Sequence, residues 1–154
     1  MNQATAPIIV EELFHASIMD VWNAITRRDQ MTQWFFGNIL AFEARKGFKT
    51  EFSVQSGGRT FTHVWKILEA VPGRRIKYHW TYAEYPGEGT VTFELRKNKF
   101  GTMLRLSNEG IETFPQNIPE FTRESCQAGW DYFIRGRLKE YLEGKDDSEP
   151  RSAR

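Results

Sequence analysis

Apolar residues recur every three or four positions between residues 117 and 143. This stripe consists of Cys126, Trp130, Phe133, Ile134, Leu138, Tyr141 and Leu142. Such spacing predicts one long amphipathic helix that must pack against another element. Asn117 is its predicted N-cap, with Glu120 three residues later as in a capping box. Ser125 and Gly129 lie beside the stripe, and because both are small we expect a gap beneath the helix there.

Between residues 39 and 109 the hydrophobic period falls to two, which is typical of β-strands. Glycine- and proline-containing turns, such as Gly57-Gly58 and Pro72-Gly73, interrupt this region at intervals typical of antiparallel hairpins. The predicted strands cover residues 39–44, 47–55, 60–70, 74–83, 89–97 and 102–109, and with residues 8–14 they make seven.

The alternation places large apolar side chains on one face of this sheet and mainly polar side chains on the other. The inward set includes Phe52, Phe61, His63, Trp65, Ile76, Tyr78, Trp80, Val91, Phe93, Leu104 and Leu106. His63 is the only histidine with inward parity, and His79 points outward. One face therefore requires a cover, and the C-terminal helix is the longest apolar surface available to it.

Two short helical segments are predicted between the first strand and the remaining strands. Ser17 is a candidate N-cap before Val21, Trp22 and Ile25, and residues 29–33 lead into Trp34 and Phe35, which we expect to plug an edge of the core. The predicted fold is α+β: a curved, seven-stranded antiparallel sheet with two short helices and a long C-terminal helix in its concave face. Residues 8–143 form the predicted single domain, residues 1–7 an N-terminal arm and residues 144–154 a disordered charged tail.

The charge balance bears on possible partners. Lysine and arginine number 21 and aspartate and glutamate 20, so no broad positive field favours nucleic acid or an anionic membrane, although a local patch remains open. No stretch has the ~20 apolar residues of a membrane span, and the N-terminus lacks the pattern of a signal peptide. We therefore expect a soluble, cytoplasmic protein that does not insert into membranes.

Two segments resemble a known family. Residues 16–36 (ASIMDVWNAITRRDQMTQWFF) are similar to the first-helix signature, ending in Trp-Phe, of the activator of heat-shock-chaperone ATPase homologue family. Residues 126–142, with Gly129-Trp130 and a Tyr-Leu close, resemble its final helix. That family belongs to the START-like (SRPBCC, Bet v allergen-like) superfamily. The resemblance implies a helix-grip fold and a cavity between sheet and last helix, where relatives bind lipids, sterols, polyketides or plant hormones; some relatives are enzymes and others stimulate a chaperone.

His63, between Phe61 and Trp65, is the polar side chain predicted to face this cavity. It is either a buried neutral imidazole bonded to a tyrosine or a backbone carbonyl, or a polar anchor for a ligand. Large rings around a small-residue gap favour a cavity of ~300 to 1,000 Å³ that binds a small hydrophobic or amphipathic molecule. The candidate ligand-binding residues are Trp34, Phe52, His63, Trp65, Tyr78, Trp80, Phe93, Cys126 and Trp130.

No cofactor, metal site or catalytic residue is predicted. Three histidines and one cysteine do not supply a convergent metal-ligand set by spacing, and no GxSxG elbow is present. Cys126 is expected to be a buried small hydrophobe. Two alternatives to ligand binding remain open: an enzyme of the cyclase, dehydratase or hydrolase type that uses the same cavity, and a module that stimulates a chaperone ATPase.

Overall fold

A single antiparallel sheet of six strands forms the centre of the structure. The structure is a computed structural model and describes residues 5–144. The strands are β1 (Ile8–Phe14), β2 (Lys49–Ser56), β3 (Arg59–Val71), β4 (Arg75–Tyr82), β5 (Tyr85–Asn98) and β6 (Gly101–Glu109). Their order across the sheet is β1-β6-β5-β4-β3-β2. Hairpins connect β2 through β6 in sequence, and β1 pairs with β6 at the opposite edge.

Helical segments lie between β1 and β2 and after β6. α1 (Ile18–Thr26) and α2 (Arg28–Trp34) connect β1 to the rest, and the Ser17 hydroxyl caps α1 by accepting a 3.1 Å hydrogen bond from the Asp20 N–H. Two 3₁₀ turns, Ile111–Thr113 and Pro119–Phe121, follow β6. The C-terminal helix then runs without interruption through α3 (Arg123–Trp130), a π-helical segment (Asp131–Leu138) and α4 (Lys139–Glu143).

The prediction of a seventh strand over residues 39–44 is wrong, because that segment is irregular. Its buried side chains, Ile39 and Phe42, are three positions apart and do not follow the period of a strand. The Ile39 carbonyl accepts a hydrogen bond of 2.7 Å from Arg28 Nε instead of joining a strand ladder. The segment therefore contributes apolar side chains to the core without extending the sheet.

The last helix also begins later than predicted. Thr122 is its N-cap and accepts a 3.2 Å hydrogen bond from the Ser125 N–H, while residues 119–121 form a separate 3₁₀ turn. Asn117 lies before that turn and does not cap the helix. The limits of a single domain at residues 8–143 stay a prediction. Residues 1–4 of the predicted arm and 145–154 of the predicted disordered tail lie outside the described residues.

The aromatic face of the sheet packs against the C-terminal helix. Trp130 of that helix lies 5.7 Å from Trp80 and 6.0 Å from Phe93 between ring centroids, and Ile134 and Leu138 are fully buried one and two turns further on. Register shifts in the pairing of β3 with β4, and of β4 with β5, add local bends to the sheet. The predicted contact between the inward rings and the helix is therefore present.

Phe35 and Phe36, directly after α2, fill much of the space between sheet and helix. Phe35 stacks on Trp34 with centroids 4.7 Å apart and meets Phe133 of the C-terminal helix edge-on at 4.9 Å. Phe36 lies 5.4 Å from Phe52 of the sheet and 5.1 Å from Phe133. These two rings join both layers of the core, so the space left open between the layers is small.

Candidate functional site

A pocket of about 150 Å³ remains between the sheet and the C-terminal helix. Residues of the loop after α2, the sheet, the second 3₁₀ turn and the helix line it: Phe36, His63, Trp80, Tyr82, Asn108, Glu120, Ser125, Cys126, Gly129, Trp130 and Phe133. Its volume is below the predicted range because Phe35 and Phe36 occupy the adjoining space. Ser125 is exposed and Glu120 half-buried, so the pocket reaches solvent on their side.

His63 is the buried titratable group of this pocket, with 4% of its surface exposed. Its Nδ1 lies 3.1 Å from the Phe61 carbonyl oxygen, which only accepts hydrogen bonds, so the neutral ring carries its proton on Nδ1. Nε2 is then an acceptor, and no group among residues 5–144 donates to it. Burial lowers the pKa of His63 to about 4, against smaller upward contributions from the Phe61 carbonyl and Glu84. The ring is therefore neutral at physiological pH.

Aromatic side chains surround the His63 ring on several sides. Phe52 stacks on it with centroids 4.8 Å apart and planes 15° apart, and Tyr82 meets it edge-on at 4.8 Å. Phe36 is 4.9 Å away and Trp80 5.5 Å away. This setting explains the pKa, since rings provide little solvation for an imidazolium ion.

Two further polar groups line the pocket. The Tyr82 hydroxyl accepts a 2.8 Å hydrogen bond from Trp80 Nε1, and burial raises the pKa of Tyr82, so it stays protonated and keeps its own O–H to donate. The side-chain amide of Asn108 on β6 has no hydrogen-bond partner within residues 5–144. Together with His63 Nε2, these groups offer a bound molecule both acceptors and donors.

Glu120 ties the pocket mouth to the β2–β3 hairpin. Its Oε2 accepts a 2.8 Å hydrogen bond from the Ser56 hydroxyl, and its Oε1 lies 3.6 Å from Arg59 Nη1. The carboxylate thus adds negative charge to one side of the pocket, partly offset by Arg59.

On the helix side of the pocket, the small residues Ser125, Cys126 and Gly129 lie beside the large rings of Trp130 and Phe133. A Cβ built on Gly129 would meet no atom within 4 Å, so the backbone itself forms part of the wall. Burial raises the pKa of the neighbouring Cys126 thiol to about 11, and a thiol with such a pKa is a poor nucleophile at neutral pH. The gap predicted beside Ser125 and Gly129 coincides with this part of the pocket.

The structure brings together His63, Trp80, Cys126 and Trp130 of the nine predicted ligand-binding residues. The other five, Trp34, Phe52, Trp65, Tyr78 and Phe93, are buried in the core and do not line the pocket. Trp65 Nε1 and the Tyr78 hydroxyl are fully buried there without a hydrogen-bond partner among the described residues. Ligand contact by any of the nine stays a prediction.

Asn108, Glu120, Phe36 and Phe133 line the pocket although they were not in the predicted ligand-binding set. A signal for Asn108 exists in the sequence, because the alternation that places Leu104 and Leu106 inward continues to position 108. Phe133 lies on the predicted helix stripe. No comparable local signal marks Glu120 or Phe36, since their positions depend on how a turn and a loop fold back onto the sheet.

Among residues 5–144, no three His, Cys, Asp or Glu side chains converge as metal ligands would. No helix in the same range is long and apolar enough to cross a membrane.

The sheet, the C-terminal helix packed on its aromatic face and the intervening pocket define a START-like α+β domain. The chain belongs to the family described as activator of Hsp90 ATPase homolog 1-like protein, whose model matches residues 15–143. This confirms the family resemblance noted in residues 16–36 and 126–142. The family by itself specifies no ligand, partner or reaction for this chain.

Solved structures share the fold. A protein from Chromobacterium violaceum is 25% identical, with 90% of this chain and 97% of that chain covered and a TM-score of 0.75. A protein from Mesorhizobium loti is 23% identical, with coverages of 92% and 99% and a TM-score of 0.72. DynU16, from the dynemicin biosynthetic locus, is 24% identical over 90% of this chain but only 47% of its own, with a TM-score of 0.71. A search of curated proteins finds no match.

Proposed function

We propose that this protein binds a small, uncharged, ring-containing molecule with a hydrogen-bond donor, such as a phenol, in the pocket between sheet and C-terminal helix. The observation that carries this proposal is the neutral His63 ring in the pocket wall, whose Nε2 is an acceptor without a partner among the described residues. Because only 4% of the His63 surface is exposed, a ligand that donates to Nε2 forms its hydrogen bond at a site that is largely shielded from water.

The size and walls of the pocket favour one small ring. A cavity of about 150 Å³ in another protein holds benzene, and the pocket here has that volume. Trp80, Trp130 and Phe133 supply flat apolar walls that suit edge-on or stacked contacts with a ring. A longer amphiphile would place only one end here and extend past Ser125 into solvent.

The charges of the pocket disfavour an anion. Glu120 carries a carboxylate at the mouth, and His63 is neutral at physiological pH, so a ligand carboxylate or phosphate would meet no buried cation. The Asn108 amide can accept from or donate to a second polar substituent.

The test compares p-cresol with toluene, which differ by a hydroxyl, using titration calorimetry. We expect p-cresol to bind about fivefold tighter, as one net hydrogen bond of about 1 kcal/mol implies. Gly129→Leu should abolish binding of both compounds, because the added side chain enters the pocket. Gly136→Leu is the matched control, since Gly136 lies on the exposed side of the same helix and a Cβ there also meets no atom within 4 Å.

His63→Phe should remove the preference for p-cresol while keeping affinity for toluene. Equal binding to the Gly129→Leu and Gly136→Leu variants would contradict the proposed location. A preference for p-cresol that survives His63→Phe would contradict the role of His63. Native mass spectrometry of freshly purified protein would show whether a molecule from the host cell occupies the site.

A further inference from the structure

Basic and exposed apolar side chains gather at the end of the molecule that carries the β5–β6 turn. This surface, here called the basic tip, consists of Arg74, Arg96, Lys97, Lys99, Phe100 and Met19. A shallow depression lined by Met19, Lys97, Lys99 and Phe100 adjoins a second one lined by Arg74 and Arg96. Met19 links the two, because its sulfur lies beside Gly73 in the β3–β4 turn, directly before Arg74.

The β5–β6 turn presents Phe100 to solvent on a backbone held by two hydrogen bonds to one side chain. Asn98 Oδ1 accepts hydrogen bonds from the N–H groups of Phe100 at 2.8 Å and Gly101 at 3.1 Å. Gly101 has a φ of +147° and abuts the Phe14 carbonyl, where no larger residue fits. Phe100 is nevertheless 61% exposed and Met19 48% exposed, and Lys99 Nζ lies 5.3 Å from the Phe100 ring centroid.

The four cations of the basic tip lack anionic partners. Arg74, Arg96, Lys97 and Lys99 form no ion pair with any residue between 5 and 144. Neighbouring arginines on the outer face are paired, as Arg75 with Glu69 at 3.0 Å and Arg105 with Glu11 at 3.7 Å. Glu94 is the single acidic residue that lines either depression. Although the net charge of the chain is only +1, positive charge is therefore concentrated at the basic tip.

We propose that the basic tip docks this protein onto bilayers with anionic headgroups, with Phe100 and Met19 entering the interfacial layer. Lysine and arginine side chains beside a protruding aromatic residue match a negatively charged surface over an apolar interior. Two exposed apolar side chains are too few for the apolar centre of a stable protein interface, which buries about 800 Å² per partner. A bilayer requires no such continuous patch.

The experiment measures co-sedimentation of the full chain with vesicles of phosphatidylcholine containing roughly one third phosphatidylserine, at about 0.05 M salt. Wild-type protein should bind these vesicles, should not bind pure phosphatidylcholine, and should be released at about 0.5 M salt. Lys97→Gln with Lys99→Gln should lower the partition coefficient about 25-fold, or about fivefold per lysine. Lys49→Gln with Lys66→Gln, an exposed pair across β2 and β3, should leave it within about twofold.

Insertion of the Phe100 side chain into the bilayer can be measured separately from the electrostatic binding. Phe100→Trp should show quenching by brominated lipids in anionic vesicles beyond that of the five native tryptophans. Phe100→Ser should weaken binding, whereas Leu40→Ser, at an exposed position outside the basic tip, should not.

The proposal would be overturned if the wild-type protein did not bind anionic vesicles at low salt. It would also be overturned if both lysine double variants lost the same amount of vesicle binding. A third outcome is that the protein binds a polyaspartate peptide through Lys97 and Lys99 but does not bind vesicles. That result would identify an acidic polypeptide as the partner. None of these results depends on the ligand pocket, because none of the altered residues lines it.

Discussion

Acid should destabilise this protein through His63, and the structure sets the size of the effect. An unfolded histidine has a pKa near 6.5, while burial lowers that of His63 to about 4 in the folded protein. Between these values the unfolded chain binds a proton that the folded chain does not, so the free energy of unfolding falls as pH decreases. From the two pKa values, the loss relative to neutral pH is about 2 kcal/mol at pH 5 and about 3 kcal/mol at pH 4.

The assay is urea unfolding at several pH values between 7 and 4.5, followed by tryptophan fluorescence, for wild type and His63→Phe. Phenylalanine keeps an aromatic ring against Phe52 but cannot titrate. Carboxylates whose pKa is lowered in the folded protein, such as Glu143, also reduce the free energy of unfolding at low pH. They do so in both proteins, so their effect cancels in the difference between wild type and variant. We expect the stability of the wild type relative to the variant to fall by about 2 kcal/mol between pH 7 and pH 5.

If the stabilities of wild type and His63→Phe changed in parallel with pH, the prediction would be wrong, because His63 would then have the same pKa in the folded and unfolded states. A difference of the opposite sign would show that the folded protein stabilises the imidazolium, as a close carboxylate would do. Circular dichroism at each pH would verify that both proteins start from the same folded state.

Three further substitutions test other parts of the structure by chemical denaturation. Tyr78→Phe should keep or raise stability by up to about 1 kcal/mol, since its buried hydroxyl has no partner among the described residues; a large loss would reveal one. Thr122→Ala should lower the free energy of unfolding by about 1 kcal/mol, and Asn117→Ala should leave it almost unchanged, because Thr122 caps the helix. The reverse order would mean that Asn117 is the N-cap, as the sequence predicts. Gly129→Ala and Gly136→Ala should each stabilise by about 0.5–1 kcal/mol, and a loss at Gly129 alone would mean that the pocket wall tolerates no methyl group.

Much of the fold could be predicted because it depends on local patterns. The period of two from Phe61 to Trp65 assigns those side chains to one face of a strand, and Ser17 marks the start of α1 whatever lies elsewhere in the chain. The segment 39–44 does not follow its pattern, since apolar residues such as Ile39 and Phe42 are equally compatible with a buried irregular segment. Periodicity identifies buried positions but does not identify which backbone groups pair.

Local spacing in the chain is enough to predict the succession of hairpins from β2 to β6, the inward set of rings, the amphipathic C-terminal helix and the small residues beside its stripe. Each follows from spacing over a few positions, and local geometry converts that spacing directly into a face. Long-range packing, in contrast, sets where Phe35 and Phe36 fill much of the space between sheet and helix, and it brings Glu120 to Ser56, 64 positions earlier in the chain. Pocket volume is a difference between the space enclosed and the side chains packed into it, so it depends on contacts between distant segments that no local pattern encodes.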